Sequence, residues 1–238
     1  ILILIALSIS CQKNHSALNQ FTRKNFESVV DGKKVDLFTL KNKNGLVTQI
    51  TNYGGRLVSL WVPDKTGVFE DIVLGYETIE GYLQSNEIYF GALIGRYGNR
   101  IANGKFILND SIYTLALNNN DHHLHGGKIG FNNVVWDAHQ FSNSQLKLKY
   151  LSKDGEEGYP GNLNVTVVYH LTDNNELEIR YTATTDKDTP VNLTHHSFFN
   201  LHGAGKGSIN DHILQINATH FTPIMTGLIP TGMIQAVK

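Results

Sequence analysis

Cysteine is nearly absent from this 238-residue chain: Cys11 stands alone, so there is no intrachain disulfide and no cysteine-rich zinc site. An excess of either charge is missing as well. Lys plus Arg number 20 against 21 for Asp plus Glu, which leaves no electrostatic footprint for nucleic acid. No apolar run approaches the roughly 20 residues of a membrane-spanning helix, and no segment keeps a helical apolar period over a helical length. Neither a G-x-S-x-G elbow nor the glycine fingerprint of dinucleotide-binding folds occurs. With Cys11 lying in the apolar leader, covalent serine or cysteine catalysis has no support.

What is present favours strands and turns. The chain holds 22 Gly, 11 Phe and 10 Tyr, and short β-type runs recur from Phe26 onward. Residues 35–40 lead through a turn at 42–45 to 46–50, and 56–62 follows Asn52-Tyr-Gly-Gly55. Residues 106–108 and 112–115 form an expected hairpin closed by Asn109-Asp110, residue types that tolerate positive φ. Runs 134–140, 146–151, 163–171 and 177–184 continue the pattern, with clear alternation in 164–170. Only 77–83 suits a helical turn. The class is all-β, a large sandwich in preference to a closed barrel. No repeat or linker divides it, so the expected organisation is a leader in 1–11, a polar tether in 12–25 and one β domain in 26–238.

Three polar-rich segments interrupt the strands. Residues 91–104 set Arg96 and Arg100 with Asn99 and Asn103 among glycines. The five donors of an arginine suit carboxylate, phosphate or sugar oxygens, and equally suit pinning a loop to backbone carbonyls. Residues 118–127 place His122, His123 and His125 beside Asp121. That grouping admits a metal site, neutral imidazoles that hydrogen-bond a hydroxylated ligand, or loop histidines satisfied structurally. Residues 189–201 carry His195 and His196 among apolar residues, framed by Asn192 and Asn200. An unperturbed imidazole, with a pKa of about 6.5, holds or releases a proton near neutrality. Adjacent side chains of extended backbone point to opposite faces, so one of the pair can be structural and the other a proton donor. Residues 154–161, with Asp154, Glu156, Glu157 and Tyr159, have the composition of a solvated turn-rich loop.

The chain opens without Met on an apolar run whose small residues lead into Cys11. This resembles the end of a secretory signal carrying the lipobox of bacterial lipoproteins. The resemblance implies lipidation of Cys11, contact with a membrane only through that anchor, and a place on the periplasmic side of a bacterial cell envelope.

The ordered set Asn52-Tyr-Gly-Gly55, Val62-Pro-Asp64, Asp71-Ile-Val-Leu-Gly-Tyr76, Gly95-Arg-Tyr-Gly-Asn-Arg-Ile-Ala-Asn-Gly104, Leu124-His-Gly-Gly127, Gly130-Phe131 with Val135-Trp136, Asp154-Gly-Glu-Glu-Gly-Tyr-Pro-Gly161 and Thr189-Pro-Val-Asn-Leu-Thr-His-His-Ser-Phe-Phe-Asn-Leu201 resembles the aldose 1-epimerases, or galactose mutarotases. The likeness runs from about residue 26 to the end. It implies a β-supersandwich that interconverts α and β anomers of a hexose by opening and reclosing the ring, with neither metal nor organic cofactor. It also implies that His196 gives a proton to the ring oxygen, that Arg100 and His125 hold sugar oxygens, and that Asn99, Ser197 and Phe198 lie against the sugar. Phe198 stands where the family more often has tyrosine, Gly98 where it has alanine, and His195 where asparagine is usual.

The family's base is a glutamate near its C terminus, and a sugar-binding aspartate also lies beyond the segment that Leu228-Ile-Pro-Thr-Gly232 matches. Neither has a counterpart among the 238 residues. The expectation is an epimerase truncated at both ends and inactive by itself. The alternative is a sugar-binding relative of the same fold that performs no chemistry.

Overall fold

Alternation of apolar and polar side chains decides where the sheets form. In Leu163–Leu171 every second residue is buried, namely Leu163, Val165, Val167, Tyr169 and Leu171, because successive side chains of a strand face opposite ways. In the computed structural model, described for residues 18–237, this strand belongs to a four-stranded antiparallel sheet. Its members follow chain order: Asp137–Ser142, Gln145–Ser152, Leu163–Leu171 and Leu177–Thr185. A second meander is built alike from Leu37–Lys41, Val47–Thr51, Leu57–Pro63 and Phe69–Asp71. Leu40, Ile50, Leu57 and Leu60 of one sheet share a core with Leu146, Leu148, Val165 and Val167 of the other. Each such buried side chain contributes about 1.5–3 kcal/mol. The expected all-β sandwich is what forms.

The leader, Cys11 and the first part of the expected tether, up to residue 17, lie outside the described residues. From Phe21 the tether is docked on the domain: Phe21 N–H donates to Gln49 Oε1 at 2.9 Å, Gln49 Nε2 donates back to Phe21 O at 2.9 Å, and Arg23 pairs with Asp36. Among the described residues no helix is long and apolar enough to cross a membrane. The helical turn expected at 77–83 is the helix Ile79–Gln84, whose N-cap Thr78 accepts from Gly81 N–H at 3.1 Å. The hairpin of Lys105–Leu108 and Ser111–Thr114 turns on Asn109 and Asp110 at φ 49° and 60°, the left-handed pair that a two-residue turn requires.

One run departs from expectation. The strand read at 134–140 enters its sheet only at Asp137. Val134, Val135 and Trp136 are instead buried against the 52–55 loop, where Gly54 N–H donates to Val134 O at 2.8 Å and Trp136 N–H to Asn52 O at 2.9 Å. The loop's backbone groups take the hydrogen bonds that a sheet neighbour would otherwise have taken.

Two short pairings gather the three polar segments. Ala92–Ile94 pairs with Thr194–His196, setting Ala92 opposite His196 and Leu93 opposite His195. Arg100–Ile101 pairs with His123–Leu124. Residues 201–237 add no side chain to either apolar core cluster, and they expose large apolar groups such as Ile213 (97%) and Leu214 (83%).

Candidate active site

The Thr194–His196 strand separates its two histidines as alternation demands. On the inner side Tyr169 Oη donates to Gly55 O at 2.6 Å, so the same oxygen must accept from His195 Nε2 at 3.0 Å. His195 Nδ1 is then the acceptor for Ser197 Oγ–H at 3.0 Å. Both ring nitrogens are satisfied, and burial, aided by the charge of His196, lowers the His195 pKa to about 4. His195 is therefore a neutral structural group at neutral pH. The one proton of the Ser197 hydroxyl is committed to it.

On the outer side, among the described residues, neither ring nitrogen of His196 has a hydrogen-bond partner. Its ring is fixed by packing instead: against Tyr89 at 5.4 Å and 30°, edge-on to His125 at 5.1 Å and 84°, and tilted to Phe198 at 5.0 Å. The strand itself is anchored by Gly91 N–H donating to His196 O at 3.2 Å.

His125 is held by Asn99 through two contacts. His125 N–H donates to Asn99 O at 3.0 Å and Asn99 N–H donates to His125 Nδ1 at 2.9 Å. Since Nδ1 accepts, the ring proton of the neutral form sits on Nε2, which is thereby a fixed donor. Burial first, then the charges of His196 and Arg100, lower the His125 pKa to about 4, so this donor stays neutral in ordinary buffers. Both residues are left-handed, Asn99 at φ 65° and His125 at φ 53°, a strain of about 1–3 kcal/mol each of the kind that functional sites retain. Gly126 is required beside them, because a Cβ there would lie 1.8 Å from Gly95 O.

The two arginines divide. Arg96 is 2% exposed and spends its guanidinium on Ser152 O and Oγ, Lys153 O, Pro160 O, Gly161 O and Thr189 Oγ1, over the face of Tyr159. It pins the 152–161 loop and is not presented to a ligand. Arg100 keeps to the surface of the site, with Nε donating to Asn119 Oδ1 at 3.0 Å and Nη1 to Asn99 Oδ1 at 3.3 Å. Arg100 also lines a cavity of about 530 Å³ together with Tyr97, Phe106 and Asp188.

The structure thus brings together Asn99, Arg100, His125, His196 and Phe198, and turns the hydroxyl of Ser197 inward. The framing amides are structural: Asn192 Nδ2 donates to Gly98 O at 2.9 Å and Asn200 Nδ2 to Lys206 O at 2.8 Å. The 154–161 loop is less solvated than its composition suggested: Glu156 accepts from Tyr150 Oη, and Glu157 accepts from the Lys128 and Ile129 amides, holding the 124–130 turn. Sequence reasoning missed Tyr89 and Asn119. Tyr89 stands two residues before the 91–104 segment, and nothing in the local sequence marks it.

The histidines of 118–127 do not converge as metal ligands. His123 is buried, with Nδ1 on Ala116 O at 2.8 Å and Nε2 on Tyr159 Oη at 2.7 Å, while His122 Nδ1 accepts from Asn103 N–H at 3.2 Å. The group among the described residues with metal-ligand spacing is His202, Asp211 and His212. Leu201 N–H donates to His212 Nε2 at 2.9 Å, so His212 Nδ1 carries its proton and faces Asp211 Oδ1 at 3.5 Å, beside His202 Nε2 at 2.8 Å from the same oxygen. The nitrogen that His212 offers has no lone pair to give, and the cluster is a hydrogen-bonded loop closure.

The sequence profile of the family described as aldose 1-epimerase matches residues 36–238. The chain belongs to the aldose 1-epimerase family. It is 46% identical over 204 residues to the galactose mutarotase of Bos taurus, covering 86% of this chain and 58% of that one. To the aldose 1-epimerase of Escherichia coli K12 it is 38% identical over 207 residues, covering 87% and 59%. Among solved structures, an aldose epimerase homologue from C. elegans superposes with a TM-score of 0.80 at 30% identity, over 85% of this chain and 61% of that one. A galactose 1-epimerase from Lactobacillus acidophilus gives 0.76 at 29%, over 88% and 60%. The chain thus spans about three-fifths of the length of these family members.

Proposed function

We propose that the whole protein is an aldose 1-epimerase that interconverts the α and β anomers of a hexose such as galactose or glucose, with His196 as the acid. The observation that carries this reading is the contrast between His196, whose ring nitrogens have no partner among the described residues, and the fixed donors around it. A pyranose seated against His196 meets the Nε2–H of His125 and the guanidinium of Arg100, with Asn99 alongside and Phe198 offering an apolar wall.

A base takes the proton of the anomeric hydroxyl, the C1–O5 bond breaks as the C1 carbonyl forms, and the electron pair on O5 takes the proton of His196. Rotation about C1–C2 and reversal of each transfer gives the other anomer. An acid or base of matched pKa contributes about 10²–10⁴-fold each. In the resemblance the base is a glutamate, and among the described residues no carboxylate hydrogen-bonds to Asn99, Arg100, His125 or His196. The 238-residue chain by itself is accordingly proposed to be inactive. The lipobox-like leader supports, as a further part of the proposal, a lipid anchor at Cys11 on the periplasmic side of a bacterial envelope. Metabolic labelling with a fatty-acid analogue, lost on Cys11→Ser, tests that part.

The test of function is polarimetry. The complete protein should speed the mutarotation of freshly dissolved α-galactose or α-glucose well above the buffer rate. The second reading, a sugar-binding protein of the same fold, is favoured instead if both anomers bind saturably and the rate stays at that of the buffer.

A further inference from the structure

Tyr89 is the residue of this site that no motif pointed to. Its ring stacks on His196 at 5.4 Å and 30°, and meets His125 edge-on at 4.8 Å and 74°. It therefore touches both imidazoles and sets the planes in which they lie. The side chain is half-buried, and among the described residues its hydroxyl has no hydrogen-bond partner. Burial, and then the carboxylate of Glu87, raise the phenol's pKa, with Arg100 opposing, so the hydroxyl keeps its proton and can donate at neutral pH.

The backbone that carries this ring is clamped on both sides. Arg56 Nη2 donates to Ile88 O at 2.9 Å and Nη1 to Phe90 O at 2.8 Å, the carbonyls immediately before and after Tyr89. The same Nη2 donates to Asn132 O at 2.9 Å, and Asn132 Nδ2 reaches Ile88 O at 3.3 Å. Tyr89 N–H is held by Glu87 Oε1 at 3.0 Å and Tyr89 O by Ala92 N–H at 3.0 Å. Arg56 is 1% exposed and, among the described residues, makes no ion pair; the rings of Tyr53 and Tyr82 lie 5.4 and 5.0 Å away, and the carboxylate of Glu87 acts on it only from beyond contact distance. A buried cation with no carboxylate in direct contact among the described residues is a poor way to gain stability, since its desolvation is only partly offset. What it does supply is a rigid planar fork that fixes three carbonyls at once.

We propose that Tyr89 is a further sugar-contacting residue of this site, its hydroxyl exchanging a hydrogen bond with a hydroxyl of the bound pyranose while its ring orients His196 and His125, and that Arg56 is the buried residue that positions it. The inference rests on the reading of the site as a hexose site, and it adds a contact and a positioning residue to it.

The experiment uses the complete protein and galactose, measuring mutarotation kinetics, equilibrium binding by intrinsic fluorescence, and melting to confirm that each variant folds. Loss of one neutral hydrogen bond corresponds to about 1–2 kcal/mol, or roughly 5–30-fold. Tyr89→Phe should therefore raise KM, and the binding constant with it, by about that factor, with a smaller change in kcat. Tyr89→Ala should in addition lower kcat at least about tenfold, through the two histidines. Arg56→Lys keeps the charge and loses the fork, so it should lower kcat in the same way, less severely than Arg56→Met. The pair Tyr89→Ala with Arg56→Lys should lower kcat no further than Tyr89→Ala alone. Unchanged KM and binding in Tyr89→Phe would overturn the contact, and additive kcat losses in the double variant would overturn the positioning. If the wild-type protein binds galactose without epimerising it, a weaker-binding Tyr89→Phe still upholds the contact and only the epimerase reading fails. If the wild type does not bind galactose, both fail.

Discussion

The two faces of the Thr194–His196 strand carry the same side chain in two settings. On the inner face His195 is bonded at both nitrogens, through Tyr169 to Gly55 O and from Ser197. On the outer face, among the described residues, the side chain of His196 is held by rings alone. The arginines of the 95–104 motif repeat the contrast: Arg96 is closed off by carbonyls, whereas Arg100 stays at the site beside Asn99 and Asn119. What separates structure from chemistry in both pairs is completion of hydrogen bonding. A group whose donors and acceptors are all matched within the protein has nothing left for a ligand, and removing it costs stability rather than activity.

That contrast can be broken in several ways. The largest stability effect belongs to Arg96→Leu, which strands the carbonyls of Ser152, Lys153, Pro160 and Gly161. It should destabilise by about 3–5 kcal/mol, read from denaturant midpoints. Acid comes next. His195 titrates at about 4 in the fold against an ordinary 6.5, so folding favours its neutral form. The stability tied to it is complete above pH 6.5 and is lost as pH falls through 4, a drop on the order of 3 kcal/mol. Denaturant midpoints at pH 7 and pH 4.5 should show this loss, and His195→Asn, which keeps a polar side chain without a titrating ring, should flatten it. Constant acid sensitivity in that variant would move the effect from His195 to other histidines that the fold keeps neutral, His123 and His125.

Tyr169→Phe removes the acceptor of His195 Nε2–H and the donor to Gly55 O, at an expected cost of about 1–3 kcal/mol in melting experiments. Ser197→Ala is the mildest. Its hydroxyl serves His195, so a loss of about 1 kcal/mol in stability is expected with little change in turnover. A large loss of sugar affinity in Ser197→Ala would return that residue to the ligand face and blur the contrast.

Much of the fold was legible because alternation is a local signal. The strand at Leu163–Leu171 was read with its observed bounds, and the Asn109-Asp110 turn announced itself by residue type. The 134–136 run misled, because its hydrogen bonds go to the 52–55 loop, a partner far away in sequence. At the site, residue type alone did not separate Arg96 from Arg100, and only the family resemblance singled out Arg100. Their different fates depend on the 152–161 loop folding over one of them. Tyr89 was illegible for a similar reason: it reaches His196 only because Ala92–Ile94 pairs with a strand about a hundred residues later, and no local pattern encodes that pairing.

The most direct test is His196→Gln in the complete protein, assayed for mutarotation of α-galactose beside a melting curve. A glutamine preserves polarity and approximate bulk but cannot deliver a proton as an acid. The rate should fall by at least about a hundredfold, with the melting temperature within a degree or two of wild type. A variant that retains a third or more of the wild-type rate, while fully folded, would contradict the role assigned to His196.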